Sequence, residues 1–335
     1  MNHLAKVELH LHLDGSLNIK WAYDRVIRKE ILPSNTTFEE FYNILFSRNI
    51  AHSAESIKKF EILCDILQEY EDLYEASYDL VRRLSNNGLL YAEIRFASQQ
   101  HCLGSLTQLD ALQAVIDGAN AAMKKYPIKV GIINCLMHKG DSAAFNDEAN
   151  RETIKVTKQL LGKGAVGLDL AGFENNCEYN EYAYLLKIAK DEGIPFTMHA
   201  GEMGVASHIL DALNMGTQRI GHGINAVNDP AILKEVVDRQ IPLEVCVTSN
   251  IKVTMNYASH PIRQLLKAGA KVTINTDNMI FSRSDLLNEL AQLRMLGVDD
   301  KTLLKCQYNA VEAAFTDEKT KEYLRNELDK IVIVD

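Results

Sequence analysis

The stretch that decides the fold is Val7-Glu8-Leu9-His10-Leu11-His12, near the start of a chain of 335 residues. Its alternation of apolar and polar residues is typical of a β-strand, in which successive side chains point to opposite faces. His10 and His12 therefore face the same side and can share one metal ion. Two further residues of metal-binding type, His199 and Asp277, also close apolar runs. Three imidazoles and one carboxylate form a ligand set that suits zinc.

Further short apolar runs rich in β-branched residues follow this first strand, with helical patterns between them. We predict strands over 7–12, 89–95, 130–135, 166–170, 195–199, 219–221, 242–246 and 271–275. We predict helices over 70–84, 112–124, 152–161, 182–190, 208–213, 231–237 and 262–268. Repeated alternation of strand and helix favours a parallel sheet, and eight such units predict a closed (β/α)8 barrel of the TIM type, an α/β fold.

The first two predicted strands are separated by about 75 residues, far more than a single helical connection needs. We therefore predict one domain over residues 1–335, with a mainly helical insertion over about 20–86 that includes helices at 38–46 and 56–67. Helices inserted beside the first strand would overhang the barrel mouth, where Ile57 and Phe60 would wall a pocket. The alternative is that these residues only pack their helix onto the barrel.

Composition excludes several classes of protein. The formal net charge of −9 argues against a nucleic-acid-binding surface, and no basic run reverses it. We expect no membrane segment and no signal peptide, which indicates a soluble, cytoplasmic protein. The six cysteines are widely spaced without a Cys-x-x-Cys pair, so neither a disulfide framework nor a cysteine-rich metal site is expected. No apolar patch indicates an oligomeric interface, and the oligomeric state stays open.

Residues that suit catalysis cluster at the predicted strand ends, where the active sites of barrel enzymes lie. These residues are His10, His12, Gly172, His199, His222 and Asp277. His101 and His138 also follow predicted strands and can face the barrel mouth, although a structural role is the more common one for a single histidine. The sequence therefore predicts a metal-dependent active site at the carboxyl ends of the strands.

Six blocks of sequence resemble, in order, the successive motifs of the adenosine and AMP deaminase family. They are Val7-Glu8-Leu9-His10-Leu11-His12-Leu13-Asp14-Gly15-Ser16, Leu168-Asp169-Leu170-Ala171-Gly172, Met198-His199-Ala200-Gly201-Glu202, Arg219-Ile220-Gly221-His222-Gly223, Thr248-Ser249-Asn250 and Asn275-Thr276-Asp277. The resemblance extends from residue 7 to about residue 278, which is nearly the whole chain. It implies the same (β/α)8 barrel that the strand pattern predicts.

The resemblance also implies a catalytic constellation. One zinc ion, or another divalent transition metal, would be held by His10, His12, His199 and Asp277. Such an ion lowers the pKa of a bound water enough to supply hydroxide near neutral pH. Glu202 would donate a proton to purine N1, which requires a carboxyl with a raised pKa. His222 would orient the water and help to deprotonate it, while Ser249 and His222 would orient Asp277.

Three further residues are expected to recognise the purine nucleoside. Gly172 would present its backbone N–H to ring nitrogen N3, a contact that a larger side chain would obstruct. Asp14 resembles the aspartate that meets the ribose hydroxyl, where adenine-specific relatives usually carry glutamate. Asn278 stands where many members have a second aspartate, and its amide N–H suits the acceptor N7. Phe173 replaces a residue that is often acidic, which makes this part of the pocket more apolar.

The function implied is zinc-dependent hydrolytic deamination of adenosine, and of 2′-deoxyadenosine, to inosine and ammonia. The alternatives left open are a deaminase of adenine or of another 6-aminopurine derivative, and a catalytically silent, zinc-stabilised binding protein. A binuclear amidohydrolase is disfavoured because the fourth predicted strand, 166–170, contains no lysine to bridge two metals. The cytidine-deaminase type of zinc site is disfavoured because its motifs, His-x-Glu and Pro-Cys-x-x-Cys, are absent from the sequence.

Overall fold

A computed structural model describes residues 4–46, 54–174, 178–203, 205–254 and 256–333, without the side chains of 54–57, 252 and 253. Within these residues, eight strands form one sheet, and each pairs in parallel with the next along the chain. The strands are β1 (Val7–His12), β2 (Tyr91–Phe96), β3 (Lys129–His138), β4 (Ala165–Gly172), β5 (Phe196–Ala200), β6 (Arg219–His222), β7 (Leu243–Val245) and β8 (Val272–Ile274). Each overlaps one predicted strand, and the predicted fold class is confirmed.

The sheet closes between its first and last strands, just beyond the end of β8. Leu11 forms a parallel bridge with Asp277. The N–H of His12 donates to the carbonyl oxygen of Asp277, and the N–H of Asp277 donates to that of His10, both at 2.9 Å. The backbone bonds that close the barrel therefore also place Asp277 beside the two histidines of β1.

Helices connect the strands and cover the outside of the sheet. They are α1 (Ile19–Arg28), α2 (Phe38–Phe46), α3 (Ala54–Ile66), α4 (Tyr70–Asn86), α5 (Gln108–Met123), α6 (Asp147–Leu160), α7 (Ala183–Asp191), α8 (Ser207–Met215), α9 (Pro230–Asp238), α10 (Val247–Thr254), α11 (Ile262–Ala268), α12 (Met279–Ser282), α13 (Leu286–Met295), α14 (Asp300–Ala313) and α15 (Glu318–Leu328). Helix α5 begins four residues before its predicted start of 112, because Thr107 and Asp110 form a reciprocal capping box there. None of the helices in the described ranges is long and apolar enough to cross a bilayer.

The connection between β1 and β2 contains helices α1 to α4, as the spacing predicts. Arg25 of α1 bonds Asp72 of α4 at 2.6 Å, which ties the first inserted helix to the last. Helix α3 packs against the turn Asp14–Ser16 that follows β1, so it lies beside the mouth of the barrel. Phe60 of α3 is described, whereas the side chain of Ile57 lies outside the described part of the structure.

Charged side chains fill much of the barrel interior beneath the mouth. Arg95, Arg219, Glu93 and Glu244 are fully buried. Arg219 bonds Glu93 at 2.7 Å and Glu244 at 2.6 Å, and Arg95 bonds Glu244 at 2.8 Å. Removing one member of such a network leaves a buried charge without a partner, which lowers the free energy of unfolding by several kcal/mol. The ion pairs therefore fix the relative positions of β2, β6 and β7.

Candidate active site

Side chains of metal-ligand type meet at the carboxyl ends of β1, β5 and β6 and just after β8. The ring centroid of His10 lies 5.5 Å from that of His12 and 4.6 Å from that of His199. Asp277 Oδ1 lies 3.6 Å from His10 Nε2 and 3.4 Å from His12 Nε2. The four residues predicted as ligands are therefore close together. His222 joins them, since ligand atoms of His10, His199, His222 and Asp277 all lie within 4.8 Å of one another.

Buried carboxylates hold the outer nitrogens of two of these histidines. His10 Nδ1 lies 2.8 Å from Glu244 Oε2, and His199 Nδ1 lies 2.9 Å from Asp169 Oδ2. Such a contact keeps the ring proton on Nδ1 and leaves the lone pair on Nε2 free for a cation. His10 Nε2 is buried and has no hydrogen-bond partner among the described residues. The residues present therefore fit a metal ion.

The protonation states in the cluster also suit metal binding. Burial lowers the pKa of His12 to about 3, so its imidazole is neutral near pH 7. Burial alone would raise the pKa of Asp277, but the surrounding histidines His10, His12 and His222 hold it well below its ordinary value. Ser249 Oγ donates to Asp277 Oδ2 at 2.5 Å, as expected for a residue that orients this ligand. Neutral imidazoles and an ionised carboxylate are the forms that bind metals.

Arg95 links the two carboxylates that hold the ligand histidines. Its guanidinium lies 2.8 Å from Asp169 Oδ2 and 2.8 Å from Glu244 Oε2. Burial would raise the pKa of Glu244, but the charges of Arg95 and Arg219 hold it well below its ordinary value. His199 and Arg95 likewise outweigh burial and lower the pKa of Asp169. Both carboxyl groups are therefore anions that can accept the histidine N–H groups.

Glu202 and His222 lie together beside the ligand cluster. Glu202 Oε2 lies 3.6 Å from His222 Nε2. Asn250 Nδ2 lies 3.3 Å from Glu202 Oε1 and 3.1 Å from His222 Nδ1, so one amide contacts both. The His222 ring centroid is 4.7 Å from that of His10. A carboxyl group and an imidazole are thus placed where they can handle protons next to the metal-ligand cluster.

Three residues at the site have left-handed backbone conformations. His222 and Asp277 both have φ of 62°, and Gly172 has φ of 116°. A non-glycine residue in this region carries strain of order 1–3 kcal/mol, and such strain concentrates at functional sites. At Gly172 a Cβ atom would also lie 2.7 Å from the carbonyl oxygen of His138. Gly172 is therefore required by its backbone as well as by the space around it.

Glu174 fixes the loop that carries Glu202. Its carboxylate accepts the backbone N–H groups of Gly201 at 2.5 Å, Glu202 at 2.9 Å and Met203 at 2.9 Å. His208 Nδ1 lies 3.2 Å from the same group. Burial opposes ionisation, but these hydrogen bonds lower the pKa of Glu174 below its ordinary value. One carboxylate therefore holds three consecutive amides and sets the position of the Glu202 backbone.

A cavity of about 860 Å³ opens above the ligand cluster. Its lining brings together all the described residues predicted to contact substrate, which are Asp14, Phe60, Gly172 and Asn278, with Glu202, His222 and the exposed parts of the ligand cluster. Asn278 Nδ2 donates to Asp277 Oδ1 at 2.7 Å. Gly15 makes room for this amide, because a Cβ atom at residue 15 would lie 1.8 Å from Asn278 Oδ1.

Sequence reasoning gave no role to Asp169, Glu174, Glu244 or Asn250, although all four hold site residues in place. The sequence did contain an indication for two of these residues. Asp169 and Glu244 are single charges inside otherwise apolar strands, which is an uncommon place for a carboxylate without a buried partner. Glu174 lies in a connecting segment and Asn250 in helix α10, and nothing in the local sequence indicates which backbone or side chain they contact.

Comparison with known proteins matches nearly the whole chain. The family model described as adenosine deaminase matches residues 5–331. An adenosine deaminase of Haemophilus ducreyi is 36% identical over an alignment of 329 positions that covers 95% of this chain and 94% of that protein. An adenosine deaminase of Clostridium botulinum strain Hall is 36% identical over 336 residues, with 98% of each chain covered.

Solved structures share the fold at lower sequence identity. An adenine deaminase from Arthrobacter aurescens superposes with a TM-score of 0.84 at 22% identity, covering 97% of this chain and 98% of that one. The N6-methyl-AMP deaminase of Arabidopsis thaliana gives a TM-score of 0.83 at 23% identity, covering 98% and 97%. A zinc-bound amidohydrolase from Burkholderia ambifaria gives 0.87 at 21% identity, covering 98% and 90%. At these identities the likeness concerns the barrel fold.

Proposed function

Because the chain belongs to the adenosine deaminase family, we propose that it hydrolyses the 6-amino group of adenosine, and of 2′-deoxyadenosine, with release of ammonia. The observation that carries this proposal is the pairing of Glu202 with His222, 3.6 Å apart, beside the metal-ligand cluster at the base of the cavity. Hydrolysis at a ring carbon needs an activated water and a proton donor for the ring, and the metal-ligand cluster and Glu202 are the groups proposed to supply them.

The metal proposed is one Zn²⁺ ion held by His10, His12, His199 and Asp277. Imidazole nitrogens and a single carboxylate oxygen are ligands that zinc prefers, although other divalent transition metals accept the same set. When bound, the ion would supply Lewis-acid activation of a water molecule near neutral pH. The carboxylates of Asp169 and Glu244 support the assignment, because they orient His199 and His10 with Nε2 facing the site.

Glu202 is proposed to carry the proton that purine N1 receives as the water oxygen bonds to C6. The ring then loses its aromatic character, and one proton of the attacking water reaches the exocyclic amine. The C6–N bond breaks to release ammonia, and the remaining hydroxyl proton returns to the Glu202 carboxylate as the C6 carbonyl forms. His222 is proposed to orient the attacking water. Since the amide of Asn250 lies 3.1 Å from His222 Nδ1, a donating amide leaves the proton of the neutral ring on Nε2, the atom nearest Glu202.

Recognition of the nucleoside is assigned to the cavity wall. Gly172 offers its N–H to N3, and Asp14 accepts from a ribose hydroxyl. Asn278 uses one N–H on Asp277 at 2.7 Å and retains a second for N7. Phe60 and Phe173 supply apolar surface to the same cavity, next to the purine and sugar.

A second candidate substrate is a 6-aminopurine that carries a phosphate. Lys59, Lys139 and Arg283 line the cavity together with the proposed nucleoside contacts. Cationic side chains favour an anionic substituent on the substrate. Adenosine is preferred here because Asp14 places a negative group where the sugar is expected.

A panel of substrates separates these candidates, with conversion of each compound monitored by ultraviolet absorption. The zinc-loaded protein is incubated separately with adenosine, 2′-deoxyadenosine, adenine, AMP and N6-methyl-AMP. We expect conversion of the two nucleosides with the highest kcat/KM. Conversion of adenine alone would overturn the assignment of Asp14, a preference for the nucleotides would favour the phosphate-binding candidate, and conversion of none would favour the silent binding protein.

A further inference from the structure

Three buried side chains of metal-ligand type lie together outside the His10, His12, His199 and Asp277 cluster. Asp14 follows β1, Cys64 lies in α3, and His101 follows the short turn Ser98–Gln100 after β2. One ligand atom from each lies within 4.8 Å of the other two. Their exposed fractions are 1%, 7% and 0%, so water does not surround the group. A carboxylate, a thiol and an imidazole from three separate elements converge here.

The hydrogen bonds of His101 indicate which of its atoms is free. Nδ1 lies 3.1 Å from the carbonyl oxygen of Leu67, which can only accept, so Nδ1 carries a proton. In the neutral ring Nε2 then has a lone pair. This atom is buried and has no hydrogen-bond partner among the described residues. A backbone carbonyl that fixes the Nδ1 proton is the arrangement commonly found behind a histidine that binds a metal through Nε2.

Asp14 presents a second acceptor to the same point. Its Oδ1 accepts the N–H of Gly15 at 3.0 Å, which leaves Oδ2 facing His101 Nε2 at 3.7 Å. Two lone-pair atoms at this separation repel each other unless a positive charge lies between them. Ligand atoms each about 2.1 Å from one tetrahedral ion lie roughly 3.4 Å apart, so the pair needs only a small adjustment to bind one.

Cys64 completes the group from the side of the inserted helices. Its Sγ lies 3.8 Å from Gln100 Oε1, a long contact for a thiol donor, so a cation does not have to displace a strong hydrogen bond. Thiolate sulfur together with imidazole favours zinc and related borderline metals over magnesium or calcium. Asp14 and Cys64 both line the substrate cavity, which provides an entry path and an open fourth position.

We propose that Asp14, Cys64 and His101 form a second binding site for a divalent cation of the zinc class, separate from the catalytic ligand cluster. An ion there engages the Asp14 oxygen that the nucleoside sugar would otherwise contact. Occupancy therefore competes with substrate, and excess zinc inhibits the enzyme. The inhibition rests on the proposed function, whereas ion binding itself does not.

Cobalt titration of the metal-free full chain tests the site directly. The catalytic cluster contains no sulfur, so thiolate-to-cobalt charge-transfer absorption reports only binding at a cysteine. We expect two equivalents of Co²⁺ per chain, with this absorption accompanying one of them. Cys64→Ser and His101→Gln should lose the thiolate-bound equivalent and its absorption. His10→Ala should keep this equivalent and its absorption, because His10 belongs to the catalytic ligand cluster. Cys102→Ser is the matched control, because Cys102 is adjacent to His101 but outside the group, and it should behave as wild type.

The result that would overturn the site is a single equivalent of Co²⁺ without charge-transfer absorption. That result would indicate that His101 is protonated and forms an ion pair with Asp14, with no metal ion between them. Loss of the absorption in Cys102→Ser but not in Cys64→Ser would also overturn it. Thermal unfolding of each variant shows whether it has folded. If either Cys64→Ser or His101→Gln does not fold, the other variant still tests the site.

Excess zinc tests the functional consequence. Adding Zn²⁺ beyond one equivalent should raise the apparent KM for adenosine at least several-fold in wild type and Cys102→Ser. The ratio of KM with and without excess zinc should stay near one in Cys64→Ser. An equal rise in Cys64→Ser would contradict competition at this site. The protein could lack deaminase activity and still bind a second equivalent of Co²⁺ through a thiolate. That result would overturn the proposed function and leave the cation site intact.

Discussion

Residues behind the proposed ligands determine how the candidate metal site is built. His10 and His199 each contact a buried carboxylate, and Arg95 lies 2.8 Å from both carboxylates. These groups do not face the substrate, but they set the tautomer and the direction of each imidazole. The geometry of the proposed ligands is therefore a property of the barrel interior as much as of these side chains themselves.

The first prediction concerns Asp169, which lies 2.9 Å from His199 Nδ1. Asp169→Asn removes the charge that fixes the ring proton, so we expect metal affinity to fall about 10–100-fold. Competition with a chromogenic chelator measures the change. Asp147→Asn is the control, because Asp147 pairs with Arg151 at the surface and is not among the residues that line the cavity. Equal affinities in wild type and Asp169→Asn would show that the carboxylate does not support the site.

The second prediction concerns proton donation. Glu202→Gln preserves the shape of the side chain but cannot deliver a proton, so kcat should fall roughly 10²–10⁴-fold. Metal content should stay at the wild-type level, because Glu202 is not one of the proposed ligands. Glu178→Gln, at an exposed position, is the matched control and should remain active. Turnover near that of wild type in Glu202→Gln would remove Glu202 from the mechanism.

Among the elements, the loop after β5 depends on one residue from the loop after β4. Glu174→Gln replaces an ionised acceptor of three backbone N–H groups with a neutral one. Hydrogen bonds to charged groups contribute about 1.5–3 kcal/mol each, so the loop that carries Glu202 should loosen. We expect kcat to fall at least tenfold, with metal content unchanged.

The control for this element is Glu181→Gln. Glu181 accepts the single N–H of Ala143 at 2.9 Å and lies outside the cavity lining. It should retain wild-type kcat. If both variants lost activity equally, the effect would reflect general destabilisation and not the position of the Glu202 loop.

The elements themselves were largely predictable from sequence. Most strands are short, mainly apolar runs, and buried parallel strands have this pattern because helices cover their outer face. Helix α11 (Ile262–Ala268) has its predicted bounds, since Gly269 ends it in a left-handed conformation. Helix α6 begins at Asp147, five residues before its predicted start, because its first turn is polar and carries no apolar periodicity. The starts of α5 and α6, which depend on a capping box and on a polar first turn, were among the bounds misplaced.

The site was predictable where strand ends carry its residues. His10, His12, His199 and Asp277 were placed correctly beside one another, because parallel strands of a barrel end at one rim. The contacts of Glu174 and the convergence of His101 with Asp14 were not predictable. They join segments that are distant in sequence, and their distances depend on side-chain packing that no local pattern encodes. The side chain of Ile57, expected to wall the pocket, lies outside the described residues.

At the scale of the whole molecule, buried acids make stability depend on pH. Burial raises the pKa of Glu289 to about 7, from an ordinary value of 4.5. The folded state therefore binds more protons than the unfolded state between these values, and the free energy of unfolding decreases as pH rises through that window. A shift of this size corresponds to about 3 kcal/mol, lost by pH 7 to 8.

This prediction is checked by the thermal unfolding midpoint of the zinc-loaded protein between pH 5 and pH 8. The midpoint of wild type should fall more steeply than that of Glu289→Gln, which keeps a neutral side chain at every pH. Glu322→Gln, at an exposed position, should follow the wild-type curve. Parallel curves for wild type and Glu289→Gln would mean that Glu289 is already ionised at pH 5.

For the whole protein, we propose that deamination of adenosine requires one metal ion at the barrel mouth with Glu202 and His222 beside it. The most direct test adds zinc stepwise to the metal-free protein while ultraviolet absorption follows adenosine and a coupled assay follows ammonia. We predict no conversion without metal, activity rising in proportion to zinc up to one ion per chain, and one ammonia for each adenosine consumed. Full activity in the presence of a strong chelator, or none at one zinc per chain, would contradict the account.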